Sequence, residues 1–513
     1  MRPTSRPLTV VALLLAFFMA AMEMTVVSTA MPTAVGDLGG VHLYAWAFAS
    51  YMLATTVTVP IYGKLADLHG RKPVLLAGLA LFLAGSTLCG LAGSMAALVA
   101  FRVVQGLGAG AIQPVAMTIV GDLFDVRERG RMQGLFGAVW GVAGLTGPLL
   151  GGAIVRWLSW RWVFYVNLLP GLACGAVLLL AYHERVERHE HRLDAAGAAL
   201  LSAGVVLLLL GARSRDAALL AVPAAGAALL AFAAAERRAR EPLLPLDLFG
   251  ERVMAVASAA AGLAGAAMIA TVTYVPLWVQ GVQGGSPTQA GAAIAPMAVG
   301  WPIASALGGR FLPRLGYRLL VRGGLALAAA SAVALWLSLG PGTSLGTLQA
   351  LTALFGAGMG FSNTPLIIAV QTSVPWNRRG VATASTLFFR TIGGTLAVGL
   401  LGGLLAASLS GSGAPPGAAD RLLGPERALL DASLLSGLAA ALRSGLSRVF
   451  AWVAAVALAA GAVSFLFPAL EVEARPVGSA GPGVERGLQA SGVGPRERRE
   501  RAEGVSRSPR PDA

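Results

Sequence analysis

Long apolar runs separated by short polar loops dominate the chain from residue 8 to residue 468. A helix that crosses the roughly 30 Å hydrocarbon core of a bilayer needs about 20 such residues. Runs such as VALLLAFFMAAM and LLSAGVVLLLL are apolar on every face, whereas the strands of a membrane barrel alternate with a period of two. The pattern therefore predicts an all-α polytopic membrane protein.

Charge clusters and Gly/Pro turns divide the apolar runs into fourteen predicted transmembrane helices. A first block of six lies at 8–29, 44–63, 74–93, 97–118, 132–154 and 163–182. A closely spaced pair follows at 196–212 and 217–235. A second block of six lies at 252–278, 288–310, 320–339, 345–371, 380–409 and 447–468. An even number of spans returns both termini to the same side of the membrane.

These blocks divide the chain into four predicted parts. They are a first six-helix bundle, an inserted helix pair with flanking loops, a second six-helix bundle and a tail, at 1–182, 183–240, 241–470 and 471–513. The tail is rich in Arg, Gly, Pro and Ser, so we expect it to be disordered. The stretch ALLDASLLSGLAAALRSGL, before the last predicted helix, favours an amphipathic helix on the outer surface.

Positive charges indicate the orientation. The formal net charge is +14, but Lys and Arg fall mainly in alternate short loops and in the tail. This distribution is typical of membrane topology and not of nucleic-acid binding. We therefore expect a multi-pass protein of the cell (inner) membrane, with both termini and the basic tail in the cytoplasm. Exceptions to the asymmetry are Arg156, Arg161, Arg213, Arg215 and the stretch around Arg421 to Arg448.

Other chemistries have little support in the sequence. The two cysteines, Cys89 and Cys174, each lie inside an apolar run, so neither a disulfide framework nor a thiolate metal site is expected. The histidines of YHERVERHEH are typical of a solvated loop, and we expect no metal and no cofactor. The sequence contains no GxxxxGK[ST] phosphate-binding loop and no buried set of nucleophile and base, which argues against an ATP-driven pump and an enzyme.

Several motifs carry a family resemblance. The loop between helices 2 and 3 reads GKLADLHGRK, and an echo, GGRFLPRLGYR, occupies the matching loop at 308–318, as an internal repeat of six helices predicts. Helix 4 carries LVAFRVVQGLGAGAIQP and helix 5 carries GLFGAVWGVAGLTGPLLGG. These resemble signatures of the major facilitator superfamily. With WRWVFYVNLLPG, EPLLPLDLF and RGVATASTLFFRTIGG, the chain resembles its fourteen-helix drug:proton antiporter branch (multidrug efflux type).

The helix 5 sequence resembles the antiporter motif of that superfamily at Gly147, Pro148, Gly151 and Gly152. Closely spaced small residues let a helix pack tightly, and proline bends it. Ala143 replaces one family glycine and keeps that position small. The resemblance implies a major facilitator fold of two six-helix bundles plus an inserted pair, and exchange of a small molecule for protons by alternating access.

Glu23 is the only acidic residue well inside a predicted helix. A charged carboxylate at the bilayer centre costs about 2.5 to 3.5 kcal/mol on insertion scales, so such a residue is rarely accidental. The surrounding MEMTVVSTAMP resembles the first-helix signature of the branch, with Glu23 where Asp is usual. We predict that Glu23 couples transport to protons; the alternative is a stabilising pair with a neighbouring helix.

Two arginines are the other deeply placed charges, and each needs an anionic or carbonyl partner. For Arg102 on helix 4, the resemblance implies a role near the proton pathway, and the alternative is a clamp on backbone carbonyls. For Arg390 on the penultimate helix, functional and structural roles both stay open.

A cytoplasmic charge network is a further implication of the resemblance. Asp67, Arg71, Asp122 and one of Arg378 or Arg379, with Arg379 preferred, match positions that latch one conformation of the transporter. Protonation or substrate would then release the latch. The alternative is that these charges mark topology and contact lipid headgroups.

A cavity for a drug-like substrate should be mostly apolar with a few polar and aromatic groups. Candidates are Trp46, Tyr51, Gln113, Trp140, Asn167, Tyr274, Asn363 and Gln371. Of these we favour Tyr51, Gln113 and Asn363. Interfacial anchoring or helix–helix hydrogen bonding are the alternatives.

The sequence thus predicts a monomeric secondary transporter whose partners are a small-molecule substrate, protons and the lipid bilayer, with no nucleic acid. The alternative is an exporter or facilitator of one endogenous metabolite, antibiotic or lipid without tight proton coupling, because pocket shape rather than motif sets substrate choice.

Overall fold

The computed structural model describes residues 4–124, 126–184, 194–211, 215–239, 242, 244, 246–340, 342–375, 378–410 and 432–468. These residues are helical almost throughout. The early helices are α1 (Arg6–Leu38), α2 (Tyr44–His69), α3 (Arg71–Gly90), α4 (Met95–Leu123), α5 (Val126–Trp157), α6 (Trp162–Tyr165) and α7 (Leu168–Ala181). The later ones are α8 (Ala195–Gly211), α9 (Arg215–Glu236), α10 (Arg252–Leu277), α11 (Pro287–Ser338), α12 (Leu345–Ser373), α13 (Arg379–Ser410) and α14 (Ala432–Ser464). We refer to α1–α7 as the first half and to α10–α14 as the second half.

Eleven helices among the described residues are long and apolar enough to cross a bilayer. α8 is shorter than that limit, and α11, with 52 residues, would be about 78 Å long if it were straight. α11 instead bends at Gly316, so it has two arms. The predicted all-α membrane fold is confirmed, while the predicted number of fourteen transmembrane helices is not confirmed by this count. The predicted tail, at 471–513, lies outside the described residues.

The internal repeat is visible in the backbone. Gly70, between α2 and α3, has φ +99°, and Gly316, at the bend of α11, has φ +72°. These two glycines occupy the same position in GKLADLHGRK and in its echo. Positive φ is open to glycine at little steric cost, which explains why both copies retain it.

The last helix differs from the sequence prediction. α14 begins at Ala432, so residues 432–446 of the segment expected to form a separate amphipathic surface helix are its first turns, and residues 428–431 lie outside the described residues. Leu438, Leu442 and Leu446 recur every fourth residue and are all buried. A stripe with this spacing lies on one face of a helix and packs against the core.

The two halves meet near the end of the molecule at which α1 and α5 end. Tyr44 Oη donates a 2.7 Å hydrogen bond to the Thr273 carbonyl, and Gln280 Nε2 donates a 2.9 Å bond to the Thr29 carbonyl. On α5, Gly152 lies against Thr288 of α11. These contacts hold the halves together at the end opposite the start of α1.

The inserted pair packs beside both halves. α8 contacts α2 of the first half and α13 of the second. Its Leu201, Val205 and Leu209 form a buried apolar cluster with Leu53 of α2 and Ile392 of α13. The inserted helices therefore cover the line along which the two halves adjoin.

Candidate functional site

The two charges predicted for proton coupling form a buried ion pair. Arg102 Nη1 on α4 donates to Glu23 Oε1 near the middle of α1. Each residue exposes only 1% of its surface. The two residues are 79 positions apart in the sequence, and their proximity is a product of the tertiary fold.

Three further polar side chains complete this cluster. Asn167 Nδ2 donates to Glu23 Oε2 at 2.6 Å and to Ser86 Oγ at 3.1 Å. Gln105 Oε1 accepts from Arg102 Nη1 at 2.8 Å, and Gln105 Nε2 donates to Ser86 Oγ at 3.1 Å. Gln105, Ser86 and Asn167 are fully buried. The carboxylate of Glu23 thus accepts hydrogen bonds from both a guanidinium and an amide. A buried charge needs such an ion pair and hydrogen bonds to offset the loss of its hydration.

The guanidinium of Arg102 has further contacts on its other sides. Its Nε donates to the Ala47 carbonyl at 2.9 Å, and its Cζ lies 4.1 Å from the centroid of the Tyr51 ring. Both Ala47 and Tyr51 belong to α2. A cation over an aromatic face is attracted by the ring quadrupole. The arginine therefore joins α1, α2 and α4. Its bond to the Ala47 carbonyl is the backbone clamp that was the alternative role predicted for Arg102, and it exists beside the ion pair with Glu23.

Local structure explains how the polar groups converge. Arg102 and Gln105 are three residues apart on α4 and therefore share one face. Asn167 lies at the break between α6 and α7, directly before α7 begins. Ser86 Oγ donates to the Phe164 carbonyl at 2.8 Å and so binds α3 to the segment that carries Asn167.

Chemically, the cluster can bind and release one proton. In this structure the Glu23 carboxylate accepts hydrogen bonds from two donors, Arg102 and Asn167. A protonated carboxyl group accepts from the Arg102 guanidinium more weakly than an ionised carboxylate does. Asn167 Oδ1 has no hydrogen-bond partner among the described residues, so an acceptor faces the cluster unused. Protonation of Glu23 would therefore weaken the bonds that join α1 to α4 and to the start of α7.

The predicted charge network is divided between the two halves. Arg71 Nε lies 2.9 Å from Asp122 Oδ2, and both residues belong to the first half. Arg379 is exposed at the start of α13, while the neighbouring Arg378 pairs with Asp247 at 2.6 Å. Asp67 is in α2, but its side chain lies outside the described residues.

Glu184 joins the first-half part of this network and was not among the predicted residues. Its carboxylate accepts from the backbone N–H groups of Arg71 and, at 3.0 Å, Lys72, so it caps the start of α3. An acidic group is favoured at a helix N-terminus because the free N–H groups and the helix dipole are positive there. Burial, together with the nearby carboxylates of Glu184 and Asp122, raises the pKa of Tyr182, which therefore stays protonated.

The predicted antiporter motif lies on α5 between α1 and α11. Gly147 faces Thr25 and Gly151 faces Thr29 and Val26, both on the side of α1. On the other side, Gly152 faces Thr288, and the Pro148 carbonyl lies against Gly291. A Cβ atom at these glycines would collide with the opposite helix, so the motif permits close packing of α5 within the first half and across to the second.

The three residues predicted to bind substrate lie in different surroundings. Tyr51 is part of the Glu23–Arg102 cluster, and Gln113 is exposed on α4. Asn363 on α12 is partly buried and accepts a 3.3 Å hydrogen bond from Arg390 Nη1. The structure therefore does not bring the three together in one site.

Sequence reasoning missed Gln105 and Ser86 and ranked Asn167 among the weaker candidates. Gln105 had a usable signal, because it lies three residues after Arg102 and so on the same helix face. Ser86 has no such signal, since a serine inside an apolar helix is common and commonly bonds to its own helix.

The comparisons with known proteins agree with this architecture. The family model described as Major Facilitator Superfamily matches residues 13–398. The multidrug transporter protein MdtP of Bacillus subtilis is 37% identical over 79% of this chain and 76% of its own length. Multidrug resistance protein 3 of the same organism is 37% identical over 78% of this chain and 80% of its own length.

Solved structures with the same fold are more distant in sequence. A crystal structure of a bacterial homolog to the human lysosomal transporter Spinster, in an inward-facing and occupied conformation, matches with a TM-score of 0.66. It is 18% identical, and the match covers 91% of this chain and 97% of that one. At this identity the likeness concerns the fold alone.

Proposed function

The chain belongs to the Major Facilitator Superfamily, and we propose that it is a secondary active transporter that exports small amphipathic or drug-like molecules in exchange for protons by alternating access. The names of its relatives support the substrate class, since two of them are a multidrug transporter and a multidrug resistance protein. The runner-up, export or facilitation of one endogenous compound without tight proton coupling, is separated from it by the experiment below.

The observation that carries the proposal is the buried Glu23–Arg102 pair with Asn167. Intramembrane carboxyl groups mark proton relays in transporters, and this one is enclosed by groups whose bonding depends on its charge. In the proposed cycle, ionised Glu23 holds α1 against α4, as in this structure. Proton binding weakens the ion pair and favours the alternative arrangement of helices, and proton release restores it.

The contacts between the halves support an assignment of conformation. With the N terminus in the cytoplasm, the hydrogen bonds from Tyr44 and Gln280 lie toward the outer side, so the outer side is closed. We assign the structure to a state that is closed toward the outside, in which the antiporter motif at Gly147, Pro148, Gly151 and Gly152 packs the outer half of α5. Reopening of the outer side would require α5 to leave α11.

Our proposal also includes the finer points of topology. Fourteen spans result if α2, α8 and each arm of α11 cross once and if α6 and α7 form one broken span. Both termini are then cytoplasmic in the inner membrane. In this scheme the protein works as a monomer, and Asp67, Arg71, Asp122 and Arg379 lie on the cytoplasmic side, where they bias the conformational equilibrium.

The test is substrate-triggered proton movement in proteoliposomes that contain a pH-sensitive dye. Ethidium, tetraphenylphosphonium and norfloxacin serve as probes. We expect the native protein to couple probe transport to proton flux and Glu23→Gln to reduce that flux at least tenfold, because glutamine cannot exchange a proton. Glu236→Gln is the matched control, since Glu236 is equally buried but bonds to the Leu244 N–H at 3.0 Å, away from the cluster.

Two results would count against the proposal. Proton flux that is unchanged in Glu23→Gln would place the coupling elsewhere. Probe transport without any proton flux in the native protein would favour an uncoupled facilitator.

A further inference from the structure

The second half contains an intramembrane arginine with an unusual environment. Arg390 lies 11 residues after the start of α13, roughly 16 Å along the helix. Its Nη1 donates to Asn363 Oδ1 at 3.3 Å, and its Cζ lies 5.8 Å from the centroid of the Trp301 ring. These three residues come from α13, α12 and the first arm of α11, and we call them the Arg390 cluster.

The Arg390 cluster has no acidic member. Within the described part of the chain, no carboxylate oxygen lies within ion-pair distance of Arg390. The sequence explains why, because residues 252–419 contain neither Asp nor Glu. In the first half, Glu23 is already bound to Arg102 and Asn167. The second half therefore carries a partly buried cation whose counter-ion the transmembrane segments do not supply.

A guanidinium inside the membrane is costly unless it is paired, and such residues mark substrate or ion pathways. Arginine presents a planar fork that binds a carboxylate in a bidentate manner. The Asn363 Oδ1 atom already accepts a hydrogen bond from Arg390. The Asn363 Nδ2 group donates no hydrogen bond within the described residues. The guanidinium and this amide can therefore donate to one anion at the same time.

We propose that the Arg390 cluster binds the carboxylate of amphipathic aromatic acids, and that such acids are a preferred substrate class of this transporter. Arg390 supplies the charge, Asn363 a further donor, and Trp301 an aromatic face against which a ring stacks. The inference rests on the proposed transport function and adds to it the chemistry of the transported molecule.

The packing behind Arg390 is consistent with a held but accessible side chain. Gly265 of α10 lies directly against the Arg390 backbone carbonyl and the Cγ atom, so α10 fixes the base of the side chain. The residue is only partly buried, in contrast to Arg102, which exposes 1% of its surface. Arg390 is thus positioned by the fold, while the residue keeps part of its surface accessible.

The test compares each acid with an uncharged-carboxyl analogue. The probes are norfloxacin with norfloxacin methyl ester, and nalidixic acid with its methyl ester. Binding to the purified full-length protein in detergent is measured by equilibrium dialysis. We expect the native protein to bind each acid at least tenfold more tightly than its ester.

Three variants locate the preference. Arg390→Met should abolish the acid preference, because acid binding should fall to the level of ester binding. Arg390→Lys keeps the charge but loses the fork, and it should retain part of the preference. Asn363→Ala should reduce the preference about threefold. Ester binding serves as the folding control for every variant, because a misfolded protein would lose it. If Arg390→Met misfolds, Arg390→Lys and Asn363→Ala test whether the acid preference depends on the cluster.

Three outcomes would overturn the inference. The first is a native protein that binds acid and ester equally, and the second is an acid preference that survives in Arg390→Met. The third is an equal loss of acid and ester binding in the variants that fold, because that result would assign Arg390 to helix packing. Ester-driven proton flux, measured on the native protein in proteoliposomes, tests the proposed antiport separately, so failure of the substrate class is distinguishable from failure of the transport function.

Discussion

The helix crossings at α4 and at α12 have the same backbone plan and different chemistry. In the first half, Gly106 lies against the Tyr51 carbonyl, and Gly108 against the backbone of Phe82. In the second half, Gly356 lies against the Met297 carbonyl, and Gly358 against the backbone of Ala328. The glycines and their partners are at matching positions of the repeat, so both halves use one solution for close helix approach.

The difference lies one turn and a half before these glycines. Arg102 donates to the Ala47 carbonyl at 2.9 Å, and at the matching position Thr352 donates to the Ala293 carbonyl at 2.8 Å. Ala293 precedes Gly316 by as many residues as Ala47 precedes Gly70. The hydrogen bond is thus kept while the charge is present in one copy only. The scaffold and the ionisable site are separable, and the repeat shows which residues belong to which.

The largest expected effect comes from breaking the ion pair in the half that has one. Arg102→Met leaves the Glu23 carboxylate buried without its cation, which should lower the free energy of unfolding by about 3–5 kcal/mol. The double variant Glu23→Gln, Arg102→Met should recover most of that loss, because no unpaired charge remains. Chemical unfolding in detergent, read as a double-mutant cycle, measures the coupling.

The exposed ion pair between Arg71 and Asp122 provides the control for this prediction. Asp122 exposes 40% of its side chain, and pairs of this kind contribute about 0–1 kcal/mol. Asp122→Asn should therefore change stability little. Equal losses in Arg102→Met and Asp122→Asn would show that burial of the Glu23–Arg102 pair does not control its energetics.

A medium effect is expected where the two halves are alike. Gly108→Ala and Gly358→Ala each place a Cβ atom against the backbone of the neighbouring helix, and such overpacking costs about 1–3 kcal/mol. Both variants should lose similar stability in thermal unfolding. Gly226→Ala on α9 is the matched control, because a Cβ atom there has no neighbour within 4 Å. A loss confined to Gly108→Ala would break the equivalence of the two crossings.

The sequence predicted the helical membrane fold, the repeat and the two deep charges Glu23 and Arg102, because each has a local signal. Apolar length marks a span, glycine spacing marks a crossing, and a lone charge in an apolar run is conspicuous. What it could not predict was the pairing of these charges with each other and with Asn167, since partners 79 and 144 residues apart are set by tertiary packing.

The same limit explains the remaining differences. Tyr51 was favoured as a substrate residue because an aromatic group inside a helix suits a cavity, yet its ring faces Arg102. The break at Asn167 lies inside one apolar run, and a single asparagine there is equally compatible with a continuous helix that bonds to a neighbour. The early start of α14 follows from Leu438, Leu442 and Leu446, whose spacing is equally compatible with a surface helix until its packing partner is known.

The smallest effect should come from the second-half counterpart of Arg102. Thr352→Val keeps the shape of the side chain but removes the hydroxyl that donates to Ala293, and loss of one such hydrogen bond costs about 0.5–1.5 kcal/mol. Thr391→Val is the control, because among the described residues the Thr391 hydroxyl bonds only to the Leu387 carbonyl of its own helix. Both variants should retain full substrate-triggered proton flux, since neither alters an ionisable group. If Thr352→Val instead reduced the flux as strongly as Glu23→Gln, the crossing at α12 would take part in coupling, and the separation of scaffold from ionisable site would not hold.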